Sequence, residues 1–404
     1  YKRQIYMFPG GNLYDIAAQD LQVVETPTPT TLITTLNVPT LDFYTISTQV
    51  YLIFKQNAGA SKYLATTGWG SMPFGTSTWG SAVVSNQNEL RVWSQTNYDQ
   101  DLIMSYRYGE IYWWTKNTTT FPVAITLNDK ANTQIKASTT ASWAAGATSI
   151  TVADTTNIDF GAMVIADTNY IPEGTYVSPN WDQSNIIPLV LPAGVSTIPG
   201  PQTNAPVSFS YSGKHIPVKT LLTIVSSTNA FTIAFGATPY NPRVFSTSAN
   251  FDPMLVRWSD QDNPYEWIPK ITNQSGEQRL SNGSEIITVA NTRQEILIWT
   301  DTALYSMQYL GPPYVYGINL LMDNLSIASQ NAVITVNSVT YWMGSDRFYS
   351  YSGRVETLPC TLRQFVFSRI NKEQISQVIC GTNEGFNEVW WFYPSENSTT
   401  NNEY

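Results

Sequence analysis

The sequence predicts an all-β protein: β-propeller-like blades of antiparallel strands, with a small β domain inserted among them. Three observations carry this. Long helical periodicity is almost absent. An aromatic phrase returns along the chain, and late in the chain its copies fall about forty residues apart.

The phrase is "DRFYSYSG" (346–353), echoed by "GGNLYDI" (10–16), "GEIYWWT" (109–115), "TALYSMQ" (302–308) and "NEVWWFY" (387–393). Each copy has turn-compatible residues, an apolar residue, a Tyr or Trp, one further residue and another apolar or aromatic one. Each is preceded by a short apolar run: "QIYMF", "LIMSY", "EILIW", "VTYWM" and "QVICG". Gly, Asp, Asn and Pro lie between run and phrase, the residues that make tight or left-handed turns, so each unit reads as an antiparallel hairpin. Tyr305 and Tyr349 are 44 residues apart, and Tyr349 and Trp390 are 41 apart. Periods near forty with about four strands each are the mark of propeller blades, which bury both faces of each sheet only by packing on neighbours. The aromatics are then the packing material between blades, and "DRFYSYSG" is expected to be an inner-strand hairpin.

The spacing fails in the first third. Tyr14 and Tyr112 are 98 residues apart, with only "QVYLIFK" (49–55) as a possible copy between. A second echo pairs "LRVWSQTNYDQDL" (90–102) with "LVRWSDQDNPYEW" (255–267), both Trp-Ser followed by an Asn/Asp-rich turn. The best helical pattern is "LRQFVFSRINKEQISQVI" (362–379), expected to give one or two turns across the end of a sheet.

Between Ala137 and Gly213 the chain changes character: 77 residues hold no Lys or Arg, and the acids are Asp154, Asp159, Asp167, Glu173 and Asp182. Short alternating strands followed by a Pro-rich run read as an ordered β module, in a loop where long insertions are tolerated. The expected organisation is residues 1–130 as the first part of the propeller, 131–213 as the inserted domain and 214–404 as the remainder.

Composition excludes several classes. Charged residues are 13% of the chain, about half the usual share, so the polar surface rests on Thr, Ser, Asn and Gln. The net charge of −9 argues against strong nucleic-acid binding, which needs clustered Lys and Arg. No run of eighteen apolar residues occurs. Cys360 and Cys380 make neither a disulfide framework nor a zinc site and are expected as small buried residues in strands. The chain opens without Met or a signal peptide and closes after a strand and a polar turn, so both ends read as cut from something longer.

Candidate chemistry is sparse. His215, the single histidine, lacks a nucleophile elbow and reads as a surface linker residue. Asp260 and Asp262 have the oxygen chemistry for Ca²⁺, but turn formation accounts for them better. Their segment resembles the Asp-box turn of sialidase propellers, a structural hairpin. Asp301, Asp346, Glu384 and Glu388 could supply a glycosidase pair, though all lie in or beside turns and no spacing selects two of them. The loop "GWGSMPFGTSTWG" (68–80), with Trp69, Phe74 and Trp79, could stack on a carbohydrate or simply pin itself to a β surface. No phosphate-cradling loop is present.

From about Asp252 to Tyr404 the chain resembles tail proteins of short-tailed phages, notably those of marine podoviruses. The resemblance rests on "LIWTDTALYSMQYLGPPYVYG", "TYWMGSDRFYSYSG" and "NEVWWFYPS", and reaches back to "DLIMSYRYGEIYWWTK". It implies a virion protein of the tail, a nozzle or hub subunit built on a propeller. It further implies a homo-oligomeric ring, hexameric, that meets adaptor and fibre proteins and conducts DNA during ejection without binding it specifically. No catalytic, cofactor or metal residues come with it, and the DNA-lining residues stay unassigned. Two other readings stay open, a glycan-binding adhesin of the host surface and a propeller glycosidase.

Overall fold

A computed structural model describes residues 4–9, 21–28, 31–34, 50–55, 90–116, 124–167 and 169–404. The chain is all-β, with propeller-like four-stranded antiparallel sheets and an inserted β domain. The first sheet holds β1 (Gln4–Pro9), β2 (Leu21–Thr28), β3 (Thr31–Thr34) and β4 (Val50–Lys55), ordered β3-β2-β1-β4. "QVYLIFK" thus contributes an edge strand. The phrase at 10–16 and the Gly/Trp loop at 68–80 lie outside the described residues.

Four later four-stranded sheets and a final hairpin complete the series as meanders, each strand pairing with the next in sequence. The second sheet is β5 (Trp93–Tyr98), β6 (Asp101–Tyr106), β7 (Ile111–Trp114) and β8 (Ile125–Thr126), followed by the short helix α1 (Leu127–Asn132). Then comes the insertion, one six-stranded sheet. Its strands are β9 (Ile135–Trp143), β10 (Ser149–Val152), β11 (Val164–Ile165), β12 (Tyr176–Val177), β13 (Ile186–Val190) and β14 (Gln202–Ser210), ordered β11-β14-β9-β10-β13-β12. The third meander is β15 (Thr220–Val225), β16 (Thr232–Ala237), β17 (Asp252–Trp258) and β18 (Gly276–Arg279). The fourth is β19 (Ile286–Asn291), β20 (Ile296–Thr300), β21 (Ala303–Gly311) and β22 (Val315–Asp323), and the fifth is β23 (Val333–Val336), β24 (Val339–Met343), β25 (Phe348–Tyr351) and β26 (Val355–Thr357). Helix α2 (Arg363–Arg369) and a 3-10 turn over Lys372–Gln377 fill the helical stretch read from sequence, before the hairpin β27 (Ile379–Asn383) and β28 (Glu388–Phe392).

In the second, fourth and fifth sheets the recurring phrase is therefore the third strand and the run before it the second, whereas in the last copy they are the two strands of the β27–β28 hairpin. Trp342 pairs with Tyr349 and Ile298 with Tyr305 across the two middle strands. This corrects the expectation that "DRFYSYSG" is an inner-strand hairpin. It sits at the centre of its sheet, and the strands that approach neighbouring sheets edge to edge are the first ones. β15 lies against β5 and β6, β19 against β15, β23 against β19 and β27 against β23.

Strand alternation explains why the middle strands read as continuous apolar runs. Ile296 and Ile298 of β20 face a core shared with the third sheet, together with Phe231, Phe235 and Val256. Leu297 and Trp299, pointing the other way, join Trp342, Met343 and Tyr349 of the fifth sheet. In β16, Ile233 and Phe235 face the fourth sheet while Ala234 packs toward Ile103, Ile111 and Trp113 of the second. A period of two with both faces buried leaves no polar face. Aromatic pairs bridge the walls: Trp258 to Tyr316 at 5.3 Å, Trp299 to Trp342 at 5.3 Å and Phe348 to Trp391 at 5.0 Å. Each such pair adds about 0.5–1.5 kcal/mol beyond its buried area.

The insertion has a core of its own, built from Trp143, Ile150, Val177, Trp181, Ile187 and Phe209. Its first and last long strands, β9 and β14, pair antiparallel, so entry and exit lie side by side. Asn128 of α1 donates to Gly213 O at 2.8 Å, and Gly213 N donates to Asn132 Oδ1 at 3.2 Å. A Cβ at Gly213 would lie 2.2 Å from Asn128 O, so the crossing needs glycine there.

Candidate functional site

Among the described residues, two of the concavities built by this arrangement bear on function. The first lies where the first strands of successive sheets converge. Its walls carry Trp93, Ser94, Gln95 and Thr96 from β5, and Leu222 and Ile224 from β15. Thr288 and Val289 come from β19, Gln330, Asn331 and Val333 from β23 and its approach, and Ile379 and Cys380 from β27. The well encloses about 490 Å³. Hydrogen bonds stitch its rim from sheet to sheet: Thr223 N donates to Ser94 Oγ (3.1 Å), Asn291 Nδ2 to Val225 O (3.3 Å), Thr288 Oγ1 to Gln330 O (2.7 Å) and Cys380 N to Asn331 O (2.9 Å). Among the described residues, none of its lining side chains is an Asp, Glu, Lys, Arg or His. Burial pushes the Cys380 thiol up to about 12, so it stays protonated and a poor nucleophile at neutral pH.

The second concavity, of about 690 Å³, lies at the stem of the insertion. Three segments form it: residues 98–101 at the β5–β6 turn, Asp262 to Tyr265 in the β17–β18 connection, and Gln134, Ile135 and Tyr211 at the insertion's two ends. Trp113 and Lys116 complete the wall. The two Asn/Asp-rich turns that echo one another in sequence thus occupy different places in their sheets yet face the same cleft. Asp99 and Asp262 both adopt the left-handed backbone region, at φ 53°, which Asp tolerates better than most residues. The rings of Tyr98, Trp113, Tyr265 and Tyr211 run in series at 5.5, 5.6 and 5.9 Å, inclined to one another by 45–52°. Burial, with Asp262 and Tyr265 nearby, pushes the Tyr98 hydroxyl up to about 12, and burial with Asp101 and Tyr211 does the same for Tyr265.

The insertion is clasped to the third sheet by buried charge. Lys136 on β9 binds Asp159 and Glu266, and Lys270 binds Asp159 at 2.6 Å. Asp159 and Glu266 are almost wholly buried, at 7% and 6% exposure. Arg257, 1% exposed, donates to Thr238 O (2.8 Å), His215 O (3.0 Å) and Trp267 O (3.1 Å), with Glu277 3.5 Å from its Nε.

No family model and no curated protein matches this chain.

The residues singled out from sequence fall as follows. His215 is buried, not a surface linker residue as expected. Its Nδ1 lies 2.9 Å from Ser212 Oγ, which itself donates to Phe160 O at 2.7 Å, and its Nε2 lies 3.3 Å from Pro242 O. The rings of Tyr240 and Phe245 flank it, and burial holds its pKa down at about 4. Asp260 accepts from Gln274 N at 2.8 Å and bridges to Asn263, the turn role expected for it, and Asp262 lines the cleft. The four carboxylates weighed as a glycosidase pair are spread over three hairpins, with Glu384 and Glu388 on the last. Asp301 accepts from Ser284 N and Oγ, Asp346 pairs with Arg347 at 2.7 Å, and Glu388 accepts from Trp390 Nε1 at 3.0 Å. Glu384 lies in the β27–β28 turn. Cys380 is in a strand, whereas Cys360 lies in the loop before α2 rather than in a strand, and both are half-buried. No helix among the described residues is long and apolar enough to cross a membrane.

Proposed function

We propose that this chain is a non-enzymatic structural subunit of a phage tail, one copy of a six-membered nozzle or hub ring through which DNA leaves the particle. The observation that carries this is the axial well. Five successive sheets meet there through backbone-anchored hydrogen bonds, and the lining is apolar, hydroxyl and carboxamide. Acid–base and nucleophilic catalysis need a group of tuned pKa at such a point; the propeller instead supplies stiffness.

Two further features support the reading. The outer strand β22 has no ladder partner on its far side among the described residues, and Leu320, Leu321 and Met322 are exposed along it. An apolar open edge of this kind is a ready subunit contact, and in a ring it meets a neighbouring copy. The acidic balance of the chain also spares passing DNA a basic wall. Tail identity itself rests on the resemblance of the last 150 or so residues.

Mass spectrometry of purified particles of the phage that encodes the chain is expected to find it at stoichiometric level. Electron microscopy of the purified chain or of tails is expected to show it as a sixfold ring. A chain absent from the particles and monomeric at every concentration would overturn the proposal.

A further inference from the structure

We propose that the cleft at the stem of the insertion binds a neutral saccharide of two or three sugar units. Its volume lies within the range of ligand clefts, roughly 300–1,000 Å³. Its wall combines the two surfaces a sugar requires. Tyr98, Tyr265 and Tyr211, with Trp113 behind them, form a series of inclined aromatic rings along the wall, an apolar surface on which pyranose rings can pack. Around it stand groups that accept from and donate to hydroxyls: Asp99, Asp262, Gln100 and Gln134.

Hydrogen-bond accounting separates the groups that build the cleft from those left for a ligand. Asp101 is committed, accepting from Trp113 Nε1 at 3.1 Å and Lys116 N at 3.0 Å. Asn263 is committed too, donating to the Tyr211 hydroxyl at 3.1 Å and accepting from Tyr265 N at 3.1 Å. The carboxylates of Asp99 and Asp262 take no hydrogen bond and no ion pair from any described residue. They come from turns on two different sheets, each with its backbone in the left-handed region, and both line the one cleft. A carboxylate bonded to a hydroxyl gives a charge-assisted hydrogen bond, roughly twice as strong as a neutral one.

Charge sets the class. Three Asp and one Lys line the cleft, so sugars carrying carboxylate, sulfate or phosphate meet like charge and are rejected. The site stands independently of the ring proposal, because nothing in it needs a second copy.

The test is calorimetric titration of the whole chain, following a glycan array, with neutral oligosaccharides and their sialylated or sulfated counterparts. Saturable binding of a neutral oligosaccharide is expected, at least about tenfold weaker for the acidic counterpart. Asp262→Asn and Tyr265→Ala are each expected to weaken it about tenfold or more. Asp99→Asn, a change at an exposed position, should weaken it with no change in thermal midpoint, so lost affinity is not confused with lost folding. The proposal is overturned by no saturable binding to any neutral oligosaccharide, by binding that all three variants leave unchanged, or by preference for choline or an arginine peptide, which would make the cleft a cation site.

Discussion

The propeller-like sheets and the inserted domain are made of the same kind of strand but close their cores in opposite ways. In the sheets, one strand serves two cores. Leu297 and Trp299 belong to one wall, and Ile296 and Ile298, their immediate neighbours, to another. In the insertion a single core gathers the inward residues of all six strands, while outward positions of β9 such as Ile135, Ser138 and Thr140 are exposed. Sharing makes the propeller cooperative from sheet to sheet. Self-containment makes the insertion a unit that can lose its structure without the rest.

The widest test of this contrast is a pair of buried tryptophans. Trp299→Ala and Trp181→Ala both remove a fully buried indole and should each cost about 4–5 kcal/mol. In calorimetry, Trp299→Ala is expected to lower the main transition, and Trp181→Ala to pull a smaller transition away from it. A single transition shifted equally by both would show that the two regions melt as one.

A somewhat smaller effect is expected at the clasp. Lys136→Met leaves Glu266 buried without its ammonium and should cost about 3–4 kcal/mol. Replacing Glu266 as well, as Lys136→Met with Glu266→Leu, is expected to restore part of the loss, because two apolar side chains substitute well for a buried pair while Asp159 keeps Lys270 as its partner. Denaturant titrations of the single and double variants check this. A double variant no better than the single one would mean that the charges hold the regions together in a way packing cannot replace.

The smallest expected effect is that of acid, through His215 at the return from the insertion. Its folded pKa lies at about 4, below the ordinary 6.5. Above about 6.5 the ring is neutral folded or unfolded, and its contribution is fully present. As pH falls from there toward 4, only the unfolded chain takes the proton, so stability falls, by at most roughly 3 kcal/mol. Midpoints measured between pH 7 and 4 should fall less steeply in His215→Gln than in the native chain. Parallel curves would place the acid sensitivity elsewhere.

Legibility in the sequence followed the same divide. The middle hairpins announced themselves because local chemistry makes them: apolar runs, aromatic third strands and turns such as Gly344 to Asp346. The third meander does not read as a copy of the phrase, and only the echo at 255–267 marks it, since its third strand carries Val256 and Arg257 before Trp258 and its second and third strands are joined by a long connection. First strands such as β19 mix polar and apolar residues because one end of each lines the well, so they lack a clean period. The insertion was marked by its missing Lys and Arg, but Lys136, which fastens it, lies just outside that stretch. The burial of His215 is decided by Ser212, Pro242, Tyr240 and Phe245, a tertiary matter with no local signal. The cleft draws on segments far apart in the chain. Only the echo between its two acidic turns hinted that they belong together.

The paired ends of the insertion have one more consequence. Because β9 and β14 run side by side and α1 grips Gly213 at their base, the chain enters and leaves the module through one narrow socket, beside which Lys270 pairs with Asp159 and Arg243 donates to Pro179 O at 2.7 Å. A lineage could exchange whatever stands in that socket while leaving the neighbouring sheets to close as before. The scaffold would then be the conservative part of the molecule, and the guest the part free to follow a changing environment.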